Sequence, residues 1–309
     1  MDVSIIIINY NTPQLVKQCV DSIFLHTANV DFEVIVVDNN STDDSASILA
    51  NDDRYTFVQS RQNLGFGKAN NLGYKYTSGK YVFLLNSDTI LLNNAIELFY
   101  NAMEKLPQNI ACIGCKMIDA EGKPIKSIGI WQELTIKRIL KSSLLSYFPF
   151  SKPMYVFAQN NYGLLDSENP FIKVDIVIGA DLFIRRTVIN ELGLFDPRFF
   201  MYTEESDMQR TYLMNGFYSG IIVGPKIVHL VGKSAPSPNR KLMSTSGQFT
   251  YLKKWNHPFL YKLFRIAFFL LRFPITIIDW RYNWSFKSKY LKLLLSKTKD
   301  DSHRFSSSI

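Results

Sequence analysis

The stretch KYVFLLNSD, residues 80–88, decides the fold expected of this chain. Four consecutive large apolar residues, 82–85, are followed at once by Asn86, Ser87 and Asp88. A short unbroken apolar run of this kind is typical of a strand that is buried on both faces, as in a parallel sheet. Asp88 then lies at the C-terminal end of the strand, where open α/β sheets place their ligands. A carboxylate there can hold a divalent cation against a phosphate.

The residues around this strand alternate between apolar runs and helix-like segments. Strands are predicted at 3–8, 33–37, 55–58, 80–85 and 110–118, and helices at 13–25, 44–50, 68–76 and 94–106. After a Ser-, Pro- and aromatic-rich excursion at 119–170, strands are predicted at 173–185, 218–223 and 226–230, and helices at 187–192 and 204–215. Such a repeating order predicts an α/β fold with a Rossmann-like, mostly parallel central sheet flanked by helices.

Charge is unevenly distributed along the 309 residues. The net charge is +8, but residues 251–309 hold 12 Lys and Arg against 3 Asp, so the remainder is close to neutral. Nearly half of the chain is apolar and a fifth is charged, which indicates a globular protein with one large domain. We therefore expect a domain at 1–250 and a basic, amphipathic helical tail at 251–309.

The cysteines and the N-terminus indicate a reducing compartment. Three cysteines cannot make a disulfide framework, and the pair Cys112 and Cys115 lies in an apolar run without a second pair or a nearby His to complete a zinc site. We interpret both as buried thiols. The apolar run at 3–8 has no basic residue before it and is too short for a signal sequence, so we expect a cytoplasmic protein.

Polar residues follow three of the predicted parallel strands: Asn9 to Asn11 after the first, Asp38 after the second and Asp88 after the fourth. In a parallel sheet these positions converge on one crevice. A single strand-end Asp is more often a cap or a turn residue than a ligand. Three such ends on one edge instead favour a binding site.

A dinucleotide-binding dehydrogenase is the obvious rival, and the position of the glycines excludes it. That fold needs G-x-G-x-x-G directly after the first strand, where glycine lets the backbone approach the pyrophosphate. Here the corresponding turn, residues 9–13, reads NYNTP. Gly65 and Gly67 follow the third strand and lack the third glycine, and there is no P-loop.

Six segments together resemble glycosyltransferase family 2, and particularly its bacterial rhamnosyltransferase-like members. In chain order they read VSIIIINYNT, EVIVVDNNSTDDS, NLGFGKANNLG, YVFLLNSD, GADLFIRR and FDPRFFMYTEESDMQR. The resemblance covers residues 3–230 and implies a GT-A fold, here with a C-terminal helical basic extension. It also implies a nucleotide-sugar-binding half at 1–118 and an acceptor-binding half at 171–250.

The resemblance assigns the donor site residue by residue. Nucleotide-sugar-binding positions are matched by Tyr10, Asn11, Thr12, Asp38, Asn39, Asn63, Gly65, Gly67, Asn70, Asn86, Ser87 and Asp88. Among these, Asp38 matches the acid that hydrogen-bonds the base. The triplet 86–88 matches the Asp-x-Asp position with an amide in place of the first acid, so Asp88 is the strong metal ligand. One carboxylate with phosphate oxygens and water can satisfy Mg²⁺.

Catalytic and acceptor-side residues follow from the same resemblance. Glu204 and Glu205 match its acidic pair, and the second position is the usual base, so Glu205 is preferred over Glu204. Gly179, Ala180 and Asp207 are expected on the acceptor side. A structural interpretation stays open, in which Thr203 caps a helix, the acids complement its dipole, and Asp207 pairs with Arg210.

Two features near residue 230 have both a functional and a structural interpretation. In the resembled family a His at the position of His229 often completes the metal site, although a lone His beside apolar residues is also common in a core. The basic stretch 232–241 either closes over the diphosphate or is a solvated loop.

The tail carries an apolar run at 266–278 that Arg272 and Pro274 interrupt, so it falls short of a spanning helix. An interfacial helix with its basic residues on anionic lipid fits the run better than a helix packed on the domain. We expect a peripheral enzyme at the inner face of the cell membrane.

The expected function is inverting transfer of a sugar from a nucleotide diphosphate sugar, with dTDP-rhamnose as the leading donor and Mg²⁺ or Mn²⁺ as cofactor. The expected acceptor is a hydroxyl of a glycan or a polyprenyl-diphosphate-linked glycan in bacterial surface-polysaccharide (O-antigen) synthesis, and no nucleic-acid partner is expected. Two alternatives remain: a sugar nucleotidyltransferase, and a non-catalytic sugar-binding module on the same fold.

Overall fold

The computed structural model describes residues 1–147, 170–230 and 237–296. The strands of this part are β1 (Val3–Asn9), β2 (Phe32–Asp38), β3 (Thr56–Gln59), β4 (Tyr81–Asn86), β5 (Thr89–Leu91), β6 (Ile110–Cys115), β7 (Ile128–Gly129), β8 (Phe171–Val174), β9 (Ile176–Val177), β10 (Asp181–Arg185), β11 (Tyr218–Ile222) and β12 (Ile227–His229). The helices are α1 (Pro13–His26), α2 (Ser45–Leu49), α3 (Phe66–Tyr74), α4 (Ala95–Lys105), α5 (Ile136–Leu145), α6 (Arg186–Leu192), α7 (Glu204–Met214), α8 (Ser237–Trp255), α9 (Pro258–Ile278) and α10 (Trp284–Leu295).

The main sheet has the order β3-β2-β1-β4-β10-β6-β11-β8 within the described residues. Its first half is parallel, as predicted: β1 lies between β2 and β4, with Asn9 opposite Asp38 and Ile8 opposite Asn86. The apolar run of β4 is buried from Tyr81 to Leu85, because helices cover both faces of the sheet. The polar ends of β1, β2 and β4 therefore meet at one edge.

Strand β10 interrupts the parallel order. It is antiparallel to both β4 and β6, with Phe183 opposite Phe83 and Asp181 opposite Leu85. Since the chain enters β10 at the same edge at which β4 ends, Gly179 and Ala180 lie beside the end of β4. The Asn86 amide donates to the Ala180 carbonyl at 3.0 Å.

Helices on the two faces of the sheet build two separate apolar cores. On one face lie α1 and α4, through residues such as Val16 and Phe99. On the other lie α3, α6 and α7, through residues such as Ala69, Val188 and Tyr212. This three-layer arrangement holds the ends of the strands rigidly at one edge, which is where the site lies.

A small antiparallel sheet of β5 and β12 lies next to that edge. Its register places His229 opposite Thr89. The Leu230 amide donates to the Asp88 carbonyl at 2.8 Å. The pairing therefore joins residues that are 140 positions apart and brings the end of β12 to the end of β4.

The C-terminal helices are packed on the domain through a third apolar core. Phe249, Tyr251 and Leu252 of α8 contact residues of α9 and α10, and Ile139 of α5 belongs to the same cluster. The expected boundary at residue 250 falls inside α8, because α8 runs unbroken from Ser237 to Trp255. None of the helices in the described part combines the length and apolar character needed to cross a bilayer.

Two loop expectations are corrected. Of the stretch 232–241, residues 237–241 form the start of α8, where Pro238 suits the first turn of a helix, and 232–236 lie outside the described residues. Of the excursion 119–170, residues 119–147 are ordered and contain β7, a 3₁₀ turn at Trp131–Leu134 and α5, whereas 148–169 lie outside the described residues.

Candidate active site

A cavity of about 360 Å³ opens at the C-terminal edge of the sheet. Most of the predicted site residues line it: Tyr10, Thr12, Asn39, Asn63, Gly65, Asn86, Ser87, Asp88, Gly179, Ala180, Glu204, Glu205 and His229. They come from the loops after β1, β2 and β4, the end of β4, β12, α7 and the loops that precede α3 and β10. The fold therefore brings together in one place the residues that the sequence predicted as donor, metal and catalytic groups.

The other predicted residues do not line the cavity: Asn11, which is exposed, and Asp38, Gly67, Asn70 and Asp207, which are buried. Asp38 is fully buried, and its carboxylate accepts hydrogen bonds from the Asn9 amide at 2.8 Å and the Ser41 hydroxyl at 2.6 Å. Asn11, with a φ of 56°, pairs with Thr42 in the same network. Asp38 thus fixes the loop after β2, and its contact with a nucleotide base stays a prediction.

The backbone conformation and the close packing at position 65 require a glycine. Its φ is 76°, and a Cβ added there would lie 2.0 Å from the Phe200 carbonyl oxygen. The Asn63 side chain accepts from the Gly65 amide at 3.0 Å and from the Asn39 amide at 3.1 Å. These bonds fix the loop at the wall of the cavity. A larger residue at position 65 would displace the backbone at Phe200.

Asp88 and His229 meet on the cavity wall, with Asp88 Oδ1 3.2 Å from His229 Nε2. Nδ1 of His229 is buried and has no hydrogen-bond partner among the described residues. The same part of the chain contains no group of three acidic, His or Cys side chains that could hold a metal by themselves. One carboxylate and one imidazole fit a Mg²⁺ or Mn²⁺ ion that takes its other ligands from a bound diphosphate and water.

Two consecutive residues before α7 have left-handed backbone conformations. Tyr202 and Thr203 have φ values of 70° and 77°, which cost energy for residues other than glycine. Thr203 is the N-cap residue of α7, and Glu204, Glu205 and Asp207 lie in the first turn, as the structural interpretation predicted, but the Thr203 side chain makes no capping hydrogen bond. The strained turn instead places Glu204 and Glu205 directly at the cavity.

Burial raises the pKa of both Glu204 and Glu205, and repulsion between the two carboxylates raises that of Glu204 further. Glu204 is 3% exposed, and its Oε2 has no hydrogen-bond partner among the described residues. Glu205 is less buried, and backbone hydrogen bonds at the start of α7, followed by the ammonium of Lys126, partly offset the rise of its pKa. Carboxylates in such surroundings are suited to take a proton near neutral pH.

Asp207 does not lie on the acceptor side of the cavity. It is buried on the side of α7 that packs against α8, and its carboxylate accepts hydrogen bonds from Lys254 Nζ and Trp255 Nε1, each at 2.7 Å. The expected pair with Arg210 is absent from the described residues, because Arg210 instead donates to the Tyr251 hydroxyl at 2.8 Å. Asp207 therefore ties α7 to α8.

A second cavity of about 580 Å³ lies beyond Glu205, between α5, α7, α8 and α9. Glu205 and Ile178 line both cavities, whereas Glu204 lines the first alone. Sequence reasoning missed the second cavity, since it depends on the packing of α5 against α9. It also missed Phe200, Met201, Tyr202, Asn239, Arg240 and Met243 of the first cavity. The aromatic run after FDPR was the one available signal for these residues.

Comparison with known proteins identifies the same family as the sequence resemblance. Residues 4–193 match the profile of the family described as Glycosyl transferase family 2. An uncharacterized glycosyltransferase of Rickettsia bellii is 35% identical over 129 residues, 41% of this chain and 18% of that protein. Chondroitin synthase of Escherichia coli is 32% identical over 199 residues, and hyaluronan synthase of Pasteurella multocida 26% over 199 residues; each match covers 62% of this chain, and 27% and 19% of those proteins. The chain thus spans less than a third of the length of these relatives.

Among solved structures, the mannosyltransferase PcManGT from Pyrobaculum calidifontis, in complex with GDP-Man and Mn²⁺, superimposes with a TM-score of 0.55 at 16% identity. The match covers 98% of this chain and 77% of that one, and it shows a shared fold. Sheet, flanking helices and edge cavity thus define a protein of the GT-A class. Because the family profile covers more than half of its residues, the chain belongs to glycosyltransferase family 2.

Proposed function

We propose that the protein is an inverting glycosyltransferase that moves a sugar from a nucleotide diphosphate sugar to an acceptor hydroxyl. The observation that carries this proposal is the position of Glu205, which lines both cavities. A base between a donor site and an acceptor site can take the proton of the attacking hydroxyl. In-line attack then needs no covalent enzyme intermediate.

The donor occupies the first cavity in this proposal. Polar side chains of the β1 end and of the loop before α3 supply hydrogen bonds to the nucleotide, and Gly65 leaves room for it. We propose residues 1–118 as the donor half and 171–250 as the acceptor half of the domain.

Asp88 and His229 would hold a divalent cation against the donor diphosphate. Such an ion, when bound, stabilises the negative charge that develops on the leaving nucleotide. The pairing of β5 with β12 keeps the Asp88 carboxylate and the His229 imidazole next to each other. Mn²⁺ in the solved mannosyltransferase complex supports this proposal.

The sugar is proposed from resemblance alone. The rhamnosyltransferase-like segments favour dTDP-rhamnose, whereas the relatives are named chondroitin and hyaluronan synthases and the solved mannosyltransferase binds GDP-Man. A thermal-shift screen of nucleotide sugars with and without Mn²⁺ identifies the donor, because a ligand that binds only the folded state raises the Tm.

We further propose a glycan acceptor carried by a lipid, at the inner face of a bacterial membrane. Helix α9 supports this proposal, because it has a second apolar face besides the one in the core. Its exposed residues recur at spacings of three and four: Phe259, Leu263, Ile266, Leu270 and Phe273. Basic residues such as Lys262 flank this exposed stripe, which suits an anionic lipid surface.

The substitution Glu205→Gln tests the catalytic assignment. It removes the base and keeps the size of the side chain, so we expect kcat to fall at least about 10²-fold while donor affinity stays within about twofold. Rates come from a nucleotide-release assay with product identification, and affinity from calorimetry. Glu191→Gln, on α6 and outside both cavities, is the matched control. Transfer at an unchanged rate in Glu205→Gln would mean that another group is the base.

Replacing Asp88 by Asn tests the metal assignment. In the wild type, donor affinity should rise with Mn²⁺ and fall when EDTA removes the metal. In Asp88→Asn we expect weaker donor binding, about tenfold, and little remaining dependence on Mn²⁺, because the charged ligand is lost. Titrations of nucleotide sugar at several Mn²⁺ concentrations measure both effects. An unchanged dependence on Mn²⁺ would show that the ion binds elsewhere.

A further inference from the structure

The second cavity is lined by more positive than negative side chains. Glu133 and Glu205 are the acidic residues of its wall, and Lys126 pairs with Glu133 at 3.0 Å. The cationic residues come from four separate segments, the loop before β7 and helices α5, α8 and α9: Lys126, Arg138, Lys241 and Arg272. A wall of this charge attracts an anionic ligand, and Glu205 connects the wall with the first cavity.

Arg272 has hydrogen-bond donors to offer such a ligand. Neither Arg272 nor Lys241 forms an ion pair within the described residues, whereas Lys126 does. Nη1 of Arg272 makes a long contact of 3.5 Å with the Ser146 hydroxyl, and its buried Nε has no hydrogen-bond partner in the same part of the chain. A guanidinium is always charged and has five N–H donors, so a bound carboxylate or phosphate can use those that remain.

Lys241 lies between aromatic rings and this second cation. Its ammonium is 4.5 Å from the centre of the Tyr282 ring and 5.0 Å from that of Tyr290. Burial and repulsion from Arg272 lower the pKa of Lys241 to about 8, although Asp279 attracts it. Two cations that repel each other in a partly buried wall are stabilised by a bound anion.

The rest of the wall suits a ligand with many hydroxyl groups. Ser146, Thr245 and Gln248 supply hydroxyl and amide groups, which both donate and accept hydrogen bonds. Phe268 and Tyr290 supply apolar area beside these polar groups, the usual combination in a small-molecule site. Together with the positive charge, this lining fits an acidic saccharide better than a neutral saccharide or a bare inorganic anion.

We propose that the second cavity selects acceptors that carry a negative charge, with Lys241 and Arg272 binding the carboxylate or phosphate of an acidic sugar residue. The inference rests on the proposed function and adds the charge of the acceptor and the residues that recognise it. The anion belongs to a saccharide because the cavity also reaches Glu205, where the proposed reaction needs a sugar hydroxyl. A neutral acceptor leaves the repulsion between the two cations uncompensated and therefore binds less tightly.

Calorimetry in the presence of EDTA tests the proposal, because no metal then draws an anion into the first cavity. The probes are methyl glucuronide, glucose 6-phosphate, methyl glucoside and inorganic phosphate. We expect one of the two acidic sugars to bind at least about tenfold more tightly than methyl glucoside and also more tightly than phosphate, since its ion pair adds to the sugar contacts. The acidic sugar that binds more tightly identifies the substituent as a carboxylate or a phosphate.

The double variant Lys241→Gln/Arg272→Gln should lose this preference. We expect about tenfold weaker binding of the preferred acidic sugar and unchanged binding of methyl glucoside. Lys262→Gln/Lys289→Gln, which removes two exposed charges of α9 and α10, is the matched control and should bind every probe like the wild type. Nucleotide-sugar affinity with Mn²⁺ should be equal in all three proteins, so a failure here is distinct from a failure of the glycosyltransferase assignment.

Several outcomes would overturn the proposal. These are equal affinity of the wild type for acidic and neutral sugars, an unchanged preference in the double variant, and no binding of any of the sugars. Phosphate that binds as tightly as the acidic sugars would show a site for a free anion, which would overturn the assignment to the acceptor.

A measurement on the wild type alone covers the case in which the double variant does not fold. The lowered pKa of Lys241 leaves more of its amine unprotonated at neutral pH than in an ordinary lysine, so an acetylating reagent should modify it readily. The preferred acidic sugar should slow this modification about fivefold or more, whereas methyl glucoside should not, and Lys262 should react at the same rate throughout. Mass spectrometry of the peptides measures the rates. Equal rates for Lys241 with and without the acidic sugar would contradict the proposal.

Discussion

At the residue scale, the two neighbouring glutamates have different surroundings. Glu204 is almost fully buried and lines the first cavity alone, whereas Glu205 lines both cavities and feels the positive charge of Lys126. A base has to reach both its substrate and, after the reaction, water. The position of Glu205 suits the base that we propose, and the charge of Glu205 raises the pKa of its neighbour Glu204.

The raised pKa of Glu205 predicts how the rate depends on pH. A base acts when deprotonated, so kcat should rise as the pH increases through the raised pKa. Lys126 lowers that pKa, and therefore Lys126→Met should move the rise of kcat to higher pH; the shift is small because the ammonium is partly solvated. The pH–rate profiles of wild type and variant measure the shift.

Lys123→Met, an exposed substitution on the same loop, is the control for this shift. Its profile should coincide with that of the wild type. A rise at the same pH in Lys126→Met, or at lower pH, would show that the rate reports a group other than Glu205.

The sequence predicted the chemical identity of the site better than its contacts. Asp88 was predicted as an acid at a strand end, and His229 and Glu205 were predicted from the resemblance to glycosyltransferase family 2; all three line the first cavity. Asp38 and Asp207 have the same chemistry, yet both are turned into the interior. Their partners decide this, and the partner of Asp207, Lys254, lies 47 residues away along the chain.

At the element scale, most strands of the main sheet could be predicted from their apolar runs, whereas β5 could not, and the run predicted at 173–185 is divided among β8, β9 and β10. Three residues, Thr89–Leu91, are too short for a periodic signal, and β5 forms because β12 pairs with it across 130 or more residues. That pairing is what places His229 beside Asp88. The local sequence pattern predicts the helices and strands, whereas the position of His229 depends on the pairing of strands that are far apart in the chain.

The contact between α7 and α8 gives a prediction about stability. Asp207 is buried, and Lys254 is its one cationic partner in the described hydrogen bonds. Lys254→Met leaves this carboxylate without its counter-charge, so we expect unfolding to become easier by about 2 kcal/mol. Urea denaturation followed by circular dichroism measures the loss.

The double variant Lys254→Met/Asp207→Asn should recover part of that stability, because the buried charge of Asp207 is gone and Asp196, the other carboxylate that Lys254 contacts, keeps Arg198 as its partner. Lys262→Met, exposed on α9, should change the free energy of unfolding by less than about 0.5 kcal/mol. A loss in Lys262→Met as large as that in Lys254→Met would mean that the effect is not specific to the ion pair.

At the scale of the whole molecule, the chain was expected to divide into a domain and a tail. The structure instead ties the C-terminal helices to the domain through Lys254 and through an apolar core that includes α5. The sequence could not show this, since an amphipathic helix has the same pattern whether its apolar face meets a protein or a membrane. What distinguishes α9 is that it has two apolar faces, and the core covers one of them.

The exposed apolar stripe of α9 predicts membrane binding. We expect the protein to sediment with vesicles that contain roughly 30% phosphatidylglycerol and to bind neutral vesicles more weakly, because basic residues flank the stripe. Replacing Leu263, Leu270 and Phe273 together by Ser should weaken binding about tenfold or more, since each side chain buries apolar area in the lipid. Leu25→Ser/Met214→Ser, on the domain and equally exposed, should bind like the wild type. Binding that survives the triple substitution would assign the stripe to a protein partner, and the lipid-linked acceptor would then have to reach Glu205 without help from α9.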